Sequence, residues 1–153
     1  MRDSRGRQVL LVEAQARTLA LPLESVRETM RPLPTQPFPS APASVLGAAV
    51  IRGELVPVLS LSRLLSERDE AVHRFVLLDL GSRRAAIAVA AVRGVVLLPE
   101  ASSRELPPLL SSCSERGLSQ VSALDREFCL VLDASRVVPA STWEALPELA
   151  REA

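Results

Sequence analysis

Val45-Leu46-Gly47-Ala48-Ala49-Val50-Ile51-Arg52-Gly53-Glu54-Leu55-Val56-Pro57-Val58-Leu59-Ser60-Leu61 reads as two apolar β-strands joined by a tight Arg-Gly-Glu turn. Gly53 supplies the positive φ that such a turn demands. Pro57 lies in the returning strand. A hairpin that displays an arginine between two apolar strands carries no catalytic chemistry. It reads as a surface for binding.

The same β grain runs outward in both directions. Upstream lie the short runs Val9–Glu13, Thr18–Leu21 and Val26–Met30, with a turn at Gln15-Ala16-Arg17. Period two places Val26, Glu28 and Met30 on one face of the third run. Residues 32–43 hold Pro32, Pro34, Pro37, Pro39 and Pro42, which excludes a helix and predicts an extended surface connector. Downstream, Ser62–Ser66 reads as a short helix and Glu67–Val72 as a charged linker. Phe75–Leu80, Arg84–Ala91 and Val92–Leu98 follow as strands, the last kinked near Gly94. Leu118–Leu124 and Glu127–Asp133 form a final hairpin around Asp125-Arg126. Residues 142–152 read as an amphipathic helix capped by Ser141 or Thr142, with Pro147 set to break it.

The expected fold is therefore all-β: two small five-stranded antiparallel barrels packed together, with a short C-terminal helix. Residues 9–65 make the first barrel and 73–138 the second, within a domain spanning 8–140, and 141–153 form a helical tail. Neither half is long enough for comfortable stability alone, so part of the second set can complete the first barrel.

Composition narrows the function. At 153 residues the chain buries roughly 70% of its unfolded surface, enough to fold without metal or disulfide. Aromatics make up only 3% and Tyr is missing, so the core is aliphatic. Eighteen basic residues, all Arg, balance eighteen acidic ones, which argues against nucleic acid as a partner. Cys113 and Cys129 are far apart and lack metal-ligand spacing. His73 has no carboxylate at catalytic spacing, Asp125 suits a turn, and Asp133 suits a helix cap. No phosphate loop or nucleophile elbow is present. An enzyme using Cys113 or Cys129 with His73 is the contrasting reading. No apolar run reaches the roughly 20 residues of a membrane helix and the opening residues are polar, so the expected location is cytoplasmic, without membrane insertion.

Four segments, in order, resemble the bacterial chemotaxis coupling protein CheW and its relatives. Leu21–Glu28 is similar to the family's opening, with its V-x-E following a strand. Val45–Leu61 is similar to its most characteristic block: Gly, four residues, Arg-Gly, then x-x-V-P-V-x-x-L. Phe75–Val96 resembles the paired strands of the second half, and Glu127–Val138 the closing strand and short helix. The pattern departs at Val50, Ala90 and Gly94.

The resemblance implies a non-enzymatic adaptor without cofactor or metal. It implies two partners, the regulatory domain of a CheA-type histidine kinase and the cytoplasmic tip of a methyl-accepting chemoreceptor, in arrays at the membrane. The alternative is a CheW-like regulatory module for a divergent, non-flagellar pathway. The kinase patch is expected around Ala48–Glu54, with Gly47, Arg52 and Gly53. The receptor groove is expected between the barrels, lined by Val26 and Glu28 from one and Ile87, Val89 or Val95 from the other. Aliphatic strand faces exceed what two small barrels bury internally, and an uncovered aliphatic groove marks a binding site.

Overall fold

The computed structural model describes residues 6–38, 41–66, 68–99, 103–105, 118–124 and 127–152. In chain order these form β1 (Gly6–Ala14), β2 (Arg17–Pro22), a 3-10 turn (Leu23–Ser25) and β3 (Val26–Met30). Next come β4 (Val45–Ile51), β5 (Glu54–Ser60), α1 (Leu61–Ser66), β6 (Arg74–Asp79) and β7 (Arg84–Val89). The chain closes with β8 (Ala91–Pro99), β9 (Ser103–Glu105), β10 (Leu118–Leu124), β11 (Glu127–Leu132), α2 (Ala134–Val137) and α3 (Ala140–Glu152).

The strands build two sheets. One is six-stranded in the order β8-β1-β2-β11-β10-β9, the other five-stranded in the order β3-β6-β7-β5-β4. The all-β class stands, but the sheets are open rather than closed barrels, and they are not divided at the linker. Each half of the chain lends a hairpin to the other. β1 and β2 sit among β8 and β11, while β6 and β7 sit between β3 and β5. Two of these exchanges create parallel neighbours, β2 with β11 and β5 with β7, in an otherwise antiparallel fold.

The lent hairpins are apolar on both faces, and that is why they become central. In β7, Ala85, Ile87 and Val89 face one way, Ala86 and Ala88 the other, and all five are buried. Three clusters follow from this alternation. Val9, Leu11, Ala20, Leu98, Cys129 and Val131 fill the six-stranded sheet's own interior. Ile51, Val56, Val58, Phe75 and Leu77 fill that of the five-stranded sheet. Between them lies a shared core, where Leu10, Val12, Leu19 and Leu21 meet Leu59, Val76, Leu78, Ile87 and Val89.

The proline-rich connector is anchored, not merely laid on the surface. Gln36 N–H donates to the Ala48 carbonyl at 2.7 Å, and Ala48 N–H donates to that of Gln36 at 2.8 Å. Phe38 inserts beside Val45, Ala48 and Leu149. The approach is so close that a Cβ on Gly47 would lie 2.3 Å from the Gln36 oxygen. The C-terminal helix runs straight through Pro147 from Ala140 to Glu152. Packing of its neighbours Leu146 and Leu149 against β4, β5 and Phe38 holds it across the missing N–H.

Candidate functional site

Ile51 and Glu54 are register partners, so Arg52-Gly53 is a two-residue turn. Both residues have positive φ, 55° and 77°, the geometry that matches strand twist. This projects the Arg52 side chain from the tip. Its Nε and Nη2 donate to the two carboxylate oxygens of Glu28 at 3.1 and 2.8 Å, a bidentate pair. Glu28 lies on β3 and Arg52 follows β4, the opposite edges of the five-stranded sheet. The sheet must therefore coil until its edges face each other, and this pair spans the seam.

The pair belongs to a circuit around one end of the sheet. Arg84 on β7 reaches Glu54 on β5 at 3.3 Å, and Arg27 on β3 reaches Asp79 on β6 at 3.2 Å. Asp79 and Arg84 face each other across the β6–β7 hairpin. Three arginines and three acids thus alternate around an exposed rim. The bonds from Arg52 hold the Glu28 carboxyl below its ordinary pKa, and Glu28 raises that of Arg52 in turn. Exposed ion pairs add little to stability. This one fixes the direction of a guanidinium that would otherwise sample many rotamers.

The second surface begins two residues earlier. Val26 pairs with Leu78, but Glu28 pairs with Leu77, because a bulge interrupts β3 between them. Leu78 faces the shared core and Leu77 the interior of the five-stranded sheet. The expected single face for Val26, Glu28 and Met30 is therefore corrected. Val26 packs against the shared core, while Glu28 and Met30 turn to the other side. On the other sheet Val95 is the register partner of Leu10, a shared-core residue. Val95 and Leu97 are each 50% exposed on β8, an edge strand. Val26 and Val95 thus flank the shared core from the two sheets.

Other expected site residues move. Ile87 and Val89 are each 1% exposed and form part of the shared core, so they line no groove. The surplus of aliphatic faces is consumed by packing one sheet on the other. Gly47 is buried under Gln36 and presents nothing to a partner. Arg52 and Gly53 remain on the surface. Sequence reasoning included Glu54 in the expected patch but missed Arg27, Asp79 and Arg84. The available signal was charge at strand ends beside turns. Leu97 was legible as the next outward residue after Val95.

The residues considered for chemistry are placed as follows. Cys129 is buried, and burial pushes its thiol up to about 11, so it stays protonated at neutral pH. His73 is exposed, its Nδ1 3.2 Å from the Ala90 carbonyl. Asp133 caps α2, accepting from the Ser135 N–H and hydroxyl. Cys113 and Asp125-Arg126 lie outside the described residues. Among those described, no group of three or more His, Cys, Asp or Glu is placed to hold a metal ion. No helix among them is long and apolar enough to cross a membrane. Of the positions that depart from the pattern, Val50 is 64% exposed and Gly94 takes φ 122° in β8. Ala90 donates its N–H to the Glu13 carbonyl at 2.9 Å.

A family model described as CheW-like domain matches residues 8–141. The chain is 25% identical over 143 residues to the Chemotaxis protein CheW of Rhizobium meliloti (strain 1021), a match covering 92% of each chain. It is 30% identical over 134 residues to Protein FrzA of Myxococcus xanthus, covering 84% of this chain and 82% of that one. Its fold is similar to the crystal structure of scaffolding protein TtCheW from Thermoanaerobacter tengcongensis, with a TM-score of 0.72 and 18% identity. That likeness covers 84% of this chain and 89% of the other.

Proposed function

The chain belongs to the CheW-like domain family, and from that premise we propose that it is a cytoplasmic adaptor and not an enzyme. It holds a CheA-type histidine kinase and the cytoplasmic tip of a chemoreceptor in fixed relation within a bacterial chemosensory array. The observation that carries this reading is the bulge in β3, which sends Val26 and Glu28 to opposite faces of one strand. Two surfaces thereby share a rigid element. The kinase meets the charged rim at Arg52–Glu54, where oriented arginines and carboxylates set register more than affinity. The receptor tip lays an amphipathic helix between Val26 and the Val95–Leu97 edge, as helices enter apolar grooves. The shared core beneath transmits a displacement at one surface to the other without a moving part.

Titration of the kinase regulatory domain and a receptor-tip peptide from the same genome tests the separation. Arg52→Ala should weaken the kinase at least about tenfold and leave the peptide unchanged. Val26→Asp should weaken the peptide by about 2 kcal/mol, the cost of burying an unpaired charge, and leave the kinase unchanged. Val95→Asp repeats the second arm at a half-exposed site, where folding is safe. Variants that lose both partners together, or neither, would refute the two-surface reading.

A further inference from the structure

We propose that α3 is a displaceable internal ligand, which occupies the outer face of the β4–β5 hairpin in competition with an amphipathic helix of a partner. Four observations carry this. The helix spans Ala140–Glu152, whereas the family match ends at residue 141, so nearly all of it lies beyond the matched segment. Its attachment is mostly partial: among its described residues only Thr142 and Leu149 are buried, while Trp143 is half-buried against the shared core under Arg83, and Ala145 and Leu146 are half-buried beside Leu149. It carries two local penalties, Pro147 within the helix and a buried Thr142 hydroxyl that has no hydrogen-bond partner among the described residues.

The fourth observation concerns the face itself. Leu149 sits on Phe38, Val45 and Ala48, with Leu55 at the margin. Ala48 and Val50 are two residues apart on β4, and Val50 is the register partner of Leu55. The apolar strip therefore continues beyond the helix to Val50, which is 64% exposed, and ends at the Arg52 turn. A longer or better-packed helix than α3 would cover the whole strip.

The kind of occupant follows from the one already seated: an amphipathic helix with Leu and Ala on one side and acids on the other, as Ala145, Leu146 and Leu149 stand against Glu144 and Glu148. Tethering gives α3 a high effective concentration, so a partner sees its affinity reduced by the fraction of molecules with the face open. Release of α3 thus sets a threshold for the second helix.

The test uses the full chain and a labelled synthetic peptide of residues 139–153 as the stand-in helix. Leu149→Asp, which frees the face, should bind the peptide at least tenfold more tightly than the parent chain. Adding Phe38→Asp, which spoils the face, should abolish that gain. In the unaltered chain, hydrogen exchange should show α3 amides opening at least a hundredfold faster than those of β6 and β7. The proposal fails if α3 exchanges at the global rate, if Leu149→Asp abolishes the cooperative unfolding of the sheets, or if parent and variant bind the peptide equally. Neither kinase nor receptor enters the assay, so its failure leaves the adaptor reading intact.

Discussion

Two hairpins in this molecule turn on the same backbone and resolve it in opposite ways. Gln15-Ala16 joins β1 to β2 with φ of 54° and 59°, and Arg52-Gly53 joins β4 to β5 with 55° and 77°. The first has no glycine, so its left-handed residues are strained and persist because the surroundings hold them. Gln15 Nε2 donates to the Ser62 carbonyl and hydroxyl oxygens at 2.9 and 2.8 Å, and the Ser66 hydroxyl donates back to Oε1 at 2.7 Å. Its backbone N–H donates to Glu70 at 2.9 Å. That tip is spent on fixing α1 and the linker. The second relieves half of the problem with glycine, so its arginine is left to face outward. Identical local geometry thus serves fixation in one place and presentation in the other, according to what surrounds the tip.

The bodies of the hairpins differ in the same sense, and substitutions can break the contrast. Leu19 is fully buried in the shared core, opposite Val12. Leu19→Ala should cost about 4 kcal/mol, the usual loss plus a cavity, seen as a lower denaturant midpoint. A cost near zero would mean that the lent hairpin is not central. Gly47→Ala should follow at about 3 kcal/mol, because its Cβ meets a backbone oxygen that cannot yield without lifting the connector. A neutral outcome would return Gly47 to the surface patch.

Smaller effects sharpen the comparison at the tips. Gln15→Ala should cost about 1 kcal/mol by removing the side-chain bonds that tie the β1–β2 tip to Ser62 and Ser66 of α1. The rim offers the gentlest probe. Because Arg52 holds Glu28 below the ordinary carboxylate pKa, the pair's contribution is fully present above that ordinary value. It is lost as pH falls through the depressed folded value. The NMR titration midpoint of Glu28 should therefore rise in Arg52→Ala, with the melting temperature at neutral pH moving by no more than about 2 °C. An unchanged midpoint would mean that the two side chains do not pair in solution.

Much of the fold was legible because it rests on local rules. The Val45–Leu61 hairpin, the Gly53 turn, the Asp133 cap and the kink at Gly94 each follow from residue chemistry over a few positions. Less of the site was legible. Val26 and Glu28 are two apart, and period two assigns them one face. The bulge that separates them leaves no mark in residue type, since Arg27 is an ordinary strand residue there. Ile87 and Val89 look alike whether they line a groove or a core, because alternation reports which residues share a face and not what that face meets.

The sequence by itself determined every described strand except β9, the aliphatic core, the turn that presents Arg52 and the family to which the chain belongs. Only the tertiary structure decided that the halves trade hairpins, that the surplus apolar faces bury one another, and that Glu28 closes the seam of its sheet on Arg52. The physical reason is range. Propensity and periodicity act within a few residues, whereas strand order and sheet coiling are fixed by contacts tens of residues apart, whose partners are chosen by the packing of the whole chain.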